Sequence, residues 1–219
     1  MPLGRSGALK TDNLIELLAK DNAPQWSFRM LFSVALICSV AAAGVLFFAM
    51  IGVRHDFLIA AETMRFLMKF VVTLTLAAGA LGLAQAMARP GAEFGAWPWL
   101  LAAAPALLII AVAIELLVVP PEAWTARLVG QSASFCLKVI PFLSLVPLAL
   151  LLLALRRGAP SNPGRAGTLA GLASGAIAAA FYAAHCPDDS PLFVAAWYGI
   201  AVTIMAGVGY LAGRRLLRW

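Results

Sequence analysis

Apolar stretches of about twenty residues recur along the whole chain, separated by short polar breaks. A hydrocarbon core about 30 Å thick takes about 20 residues of apolar helix to cross. The pattern therefore predicts six membrane-spanning helices, at about 30–52, 66–88, 99–119, 136–155, 166–184 and 192–213. The expected fold is an all-α polytopic membrane protein made of one six-helix bundle over 30–213, with no second folded domain. The last break, His185-Cys186-Pro187-Asp188-Asp189-Ser190-Pro191, reads as a tight hairpin joining the fifth and sixth spans.

Ahead of the spans the pattern changes. Residues 1–29 are polar apart from one short amphipathic stretch, and they lack the apolar core and cleavage site of a signal peptide. Leu14, Leu17 and Leu18 follow the i, i+3, i+4 rule, and Ile15 widens their stripe. Asn13 with Glu16 three residues on has capping-box spacing, and Asn22-Ala23-Pro24 ends the helix. A ten-residue helix is marginal alone in water, so this stripe needs a surface to cover, either the membrane or a partner protein.

Composition supports the membrane reading: 63% of the 219 residues are hydrophobic and 12% are charged, about half the charge of a soluble domain. The net charge of +6 then reports topology rather than nucleic-acid binding. Eleven of the sixteen Lys and Arg lie in 1–29, 89–97, 156–165 and 214–219, and 185–191 has none. By the positive-inside rule both termini, including the basic tail 214–219, are expected in the cytoplasm, and the hairpin outside.

Candidate chemistry gathers at the outer ends. Cys136 opens the fourth span and Cys186 follows the fifth, so the two share a depth and face an oxidising compartment. They read as inert interfacial residues, as a reversible disulfide, or as soft metal ligands. His185 adds a borderline ligand or is an ordinary interfacial residue, and Asp188 and Asp189 read most simply as a solvated turn. Cys38, inside the first span, reads as a small buried apolar residue. Glu115, the one carboxylate well inside an apolar run, either carries function or reaches the interface; Lys69 and Lys138 are its expected partners if they do not snorkel outward. Gly167, Gly171 and Gly175 form a small-residue face that fits close packing within the bundle or, alternatively, between copies. Pro141 and Pro147 interrupt the fourth span and predict a kink. No nucleotide loop, G-x-S-x-G or H-E-x-x-H is present, so neither an enzyme nor a resident cofactor is expected.

The opening Lys10-Thr11-Asp12-Asn13-Leu14-Ile15-Glu16-Leu17-Leu18-Ala19, the six spans, and the stretch from His185 to Ser190-Pro191-Leu192-Phe193-Val194-Ala195-Ala196-Trp197-Tyr198 together resemble the NrsF family. Its members are bacterial inner-membrane anti-sigma factors that restrain extracytoplasmic-function sigma factors. The likeness covers nearly the whole chain after residue 9. It implies a sigma factor as partner, held by the N-terminal segment through Leu14, Ile15, Leu17 and Leu18 and released under stress. It also implies signal sensing at Cys136 and Cys186, beside His185, by oxidation or heavy-metal capture. The rival reading is a small transporter or channel with Glu115 and the Cys and His groups as an ion site.

Overall fold

The computed structural model describes residues 26–89, 91 and 93–217. Leu14, Ile15, Leu17 and Leu18, with the rest of the expected N-terminal helix, lie outside the described residues. All regular structure within them is helical, and six helices are long and apolar enough to cross a membrane. In chain order the elements are α1 (Phe28–Met50), short α2 (Phe57–Ala61), α3 (Met64–Met87), α4 (Trp97–Val118), short α5 (Trp124–Val129), α6 (Ala133–Leu155), α7 (Pro163–Ala183) and α8 (Pro191–Leu216).

Local sequence explains most of the boundaries. The Ser27 hydroxyl accepts from Met30 N at 3.3 Å, and the Asn162 side chain from Arg165 N at 3.0 Å with Pro163 as the first helical residue. Each satisfies an amide that has no partner within its helix. α6 runs through Pro141 and Pro147 as one element. The second turn of α8, Val194–Tyr198, is π-helical, a local widening common at functional sites.

α7 is the central post, the most buried of the six long helices, and α4 is the least buried. It packs on α8, α3 and α6; α1 lies mainly on α6, and α4 lies on α3. The glycine face of α7 is used inside the chain. Gly167 and Gly171 meet the backbone of Gly209, Gly213 and Met205 so closely that a Cβ would strike the carbonyls of Gly209 and Met205. With hydrocarbon on the outside, helices gain little from the hydrophobic effect and depend on such close contact.

Cys38 departs from expectation: it is exposed on the outside of the bundle. The buried stripe of α1 runs Phe32, Ser39, Ala43, Phe47, and one residue's offset turns a side chain about 100° around the helix.

Six crossings leave Trp26 and Leu217 at one end of the bundle. The segments 51–63, 119–132 and 184–190 gather at the other, here called the hairpin end.

Candidate functional site

The hairpin begins where α7 runs out. His185 N and Cys186 N both donate to Tyr182 O at 3.0 Å, tightening its last turn. Pro187 then keeps the chain from continuing as helix, Ser190 precedes α8 without a side-chain cap, and Pro191 is the first residue of α8. The segment is held from three directions.

The first is the loop after α1. Arg54 N donates to Ala184 O at 3.1 Å, and His185 Nδ1 lies 3.1 Å from Gly52 O, which makes Nδ1 the protonated nitrogen because a carbonyl only accepts. The Asp189 carboxylate takes Arg54 on one oxygen at 3.0 Å and Lys69 Nζ on the other at 2.6 Å. Lys69 also donates to Cys186 O at 3.0 Å and lies 5.1 Å from the centre of the Phe66 ring. An ion pair, a hydrogen bond and an aromatic face together compensate a lysine with no exposed surface. The Arg54 fork in turn grips Asp56 through two 2.6 Å hydrogen bonds. These bonds hold Asp56 down at about 2 and push Arg54 further up.

The second direction is α6. The Asp188 carboxylate accepts from Ser132 N at 2.9 Å and Gln131 N at 3.1 Å, supplying a cap from outside the helix. Gly130 makes this approach possible. Its φ of 58° suits glycine, and a Cβ there would meet Asp188 and Phe193.

The third is α4. Glu115, 3% exposed, accepts from Arg127 at 2.9 Å on one oxygen. Its other oxygen takes Ser190 Oγ at 2.8 Å and Leu192 N at 3.1 Å. One carboxylate therefore caps α8 and ties α5 to it.

Beneath this lid the two cysteines come together. Cys136 and Cys186 are free thiols with no exposed surface, in one apolar cluster with Tyr182, Phe193 and Tyr198. Ser132 O accepts from Cys136 N, so the helix turn that Asp188 caps is the turn that places Cys136. Cys186 Sγ donates to Asp188 O at 3.8 Å. The Tyr182 and Tyr198 rings, 5.7 Å apart, stand beside Cys186. Burial pushes the Cys186 thiol up, and the nearby Lys69 cation only partly opposes it.

Several expectations change. Glu115 pairs with Arg127 rather than with Lys69 or Lys138, and it is committed to hydrogen bonds rather than open as an ion site. Lys69 does not snorkel: it is fully buried and paired with Asp189 of the hairpin. Asp188 and Asp189 are not a solvated turn; each is half-buried and clamps a different helix. His185 turns to Gly52 and packs between Phe135 and Tyr182. Among the described residues no three His, Cys, Asp or Glu side chains converge as a metal site. Sequence reasoning gave Arg54 no role and considered Lys69 only as a partner of Glu115 or a snorkelling residue. The available signal was charge complementarity, since 54–69 carries three bases and the hairpin two acids and no base.

Comparison with known proteins adds what geometry does not supply. Residues 18–219 match the NrsF family, described as negative regulator of sigma F. The probable anti-sigma-F factor NrsF of Azospira oryzae is 34% identical over 218 residues, covering 96% of this chain and all of that protein. The anti-sigma-F factor NrsF of Caulobacter vibrioides is 35% identical over 224 aligned positions, with the same coverage. No solved structure matches. Likeness of this extent, running through the hairpin and all six spans, makes the chain a member of the NrsF family and a regulatory protein rather than an enzyme.

Proposed function

We propose that this chain is a membrane-bound anti-sigma factor of the bacterial inner membrane, with both termini cytoplasmic. In this reading it sequesters a sigma factor of the extracytoplasmic-function class and releases it when a thiol-reactive signal reaches Cys136 and Cys186. The observation that carries the reading is the full-length likeness to two anti-sigma-F factors, joined to a fold that buries two cysteines from separate segments in one cluster. The excess of Lys and Arg in the segments at the terminal end supports cytoplasmic termini.

The sigma-binding element is the N-terminal segment, through Leu14, Ile15, Leu17 and Leu18. The signal is either an oxidant that draws two electrons and two protons from the thiol pair as a disulfide forms, or a soft metal ion that takes two thiolates and displaces two protons. His185 acts by holding the hairpin to Gly52 rather than as a ligand. α1 supports a coupling route: its 23 residues, roughly 34 Å of helix, run from the loop gripped by the hairpin to residue 28. A signal shifts sigma binding only if it favours one packing over the other.

The test is co-purification of the sigma factor with the full chain and with a chain lacking residues 1–24. Capture by the first and not the second is expected; capture by neither overturns the reading. A sigma-dependent reporter in cells carrying Cys136→Ser and Cys186→Ser tests the sensor. An unchanged stress response there removes the cysteines from the mechanism.

A further inference from the structure

The thiols present a problem of access. A signal that acts on sulfur must touch it, yet neither Cys136 nor Cys186 has any exposed surface. The thiols sit in an apolar cluster, and on the hairpin side Cys186 Sγ donates to Asp188 O at 3.8 Å. The segment that follows Cys186 is held by charge. Lys69, itself without exposed surface, reaches from α3 to bind both the Cys186 carbonyl and the Asp189 carboxylate, and Arg54 takes the second oxygen of that carboxylate. Residues from two other segments thus meet on one carboxylate three residues after Cys186.

We propose that Lys69 and Asp189 form a latch that positions the hairpin over the Cys136–Cys186 pair and sets how readily water-borne reagents reach it. Two physical arguments support this. Removing Asp189 leaves Lys69, which has no exposed surface, uncompensated, and removing Lys69 takes the donor from the Cys186 carbonyl and one of two cations from Asp189, so the closed arrangement depends on both residues. Apart from the Arg54–Asp189 pair the hairpin's remaining ties are hydrogen bonds, and short segments held this way open locally without global unfolding. Opening lifts the Cys186 carbonyl off Lys69 and brings water to the sulfur. A closed pair and an accessible pair are thereby separated by the opening of a short segment in which the Lys69–Asp189 contact is the most buried charged tie. The inference deepens the proposed sensor reading, but its labelling test does not depend on that reading.

The experiment uses the full chain in lipid nanodiscs with Cys38→Ser, so that at most two thiols report. A charged, membrane-impermeant thiosulfonate is added, and labelled thiols are counted over time by intact mass. The native latch is expected to label slowly, and Lys69→Met and Asp189→Asn at least about ten times faster. Ser190→Ala, which loses a hydrogen bond to Glu115 in the same hairpin but no latch contact, is expected to label near the native rate. Native labelling as fast as an open thiol overturns the latch. So do latch variants no faster than native, or a Ser190→Ala rate matching theirs, which would indicate general loosening. If the latch result holds but the cysteine variants leave the reporter unchanged, the latch stands and the sensor reading falls.

Discussion

Lys69 Nζ lies 2.6 Å from Asp189 Oδ1, joining the second membrane span to the hairpin between the fifth and sixth, and the lysine is wholly buried. In the same hairpin the adjacent Asp188 turns the other way, to the amides that open the helix of Cys136. Two neighbouring carboxylates therefore divide the hairpin's attachment between the two sides of the thiol cluster.

Lys69→Ala removes the buried cation, leaves the Cys186 carbonyl without its donor and takes one of two cations from Asp189, which keeps Arg54. Leaving a buried acceptor unsatisfied costs about 1–3 kcal/mol. Thermal denaturation in detergent should show a clear fall in midpoint, and Lys138→Ala, at an exposed site, should show almost none.

Asp188→Ala strips an external cap from α6. Loss of a capping acceptor costs about 1 kcal/mol, so denaturant unfolding should shift modestly. Asp188→Asn retains an acceptor oxygen and should lose less.

Gly171→Ala tests the contact between α7 and α8. Its methyl group would strike the Met205 carbonyl, and overpacking of this kind costs about 1–3 kcal/mol. Gly207→Ala, which meets nothing within 4 Å, should leave the melting midpoint unchanged or slightly raised.

The Arg54–Asp56 pair has a predictable pH dependence. Arg54 holds Asp56 at about 2, below its ordinary value of 3.8. A carboxylate lowered on folding adds stability that is complete above its unfolded pKa and is lost as pH falls through its folded one. The melting-point difference between native protein and Asp56→Asn should therefore be constant above about pH 4 and close as pH falls to about 2.

Much of this protein was legible without coordinates. Apolar runs long enough to cross hydrocarbon force helix, because no other open structure satisfies its backbone there, and six such runs define the bundle. The small-residue spacing of Gly167, Gly171 and Gly175 identified a close-packing face because periodicity along a helix is a local property. The hairpin stood out for the same reason, as a polar break with prolines at fixed positions. Partner choice was different. Cys38 was misplaced because one residue's offset separates the inside of α1 from its outside, and hydropathy is equally high on both. Glu115, Lys69, Arg54, Asp188 and Asp189 all sit near span ends, where each had several partners of opposite charge within reach. Composition and spacing alone could not rank them. Three-dimensional packing decided that Asp189 faces α3, that Asp188 faces α6, and that Glu115 takes Arg127 and the start of α8. A buried charge must find a partner within about 4 Å or lose its solvation uncompensated, and which groups come that close is set by how the helices pack.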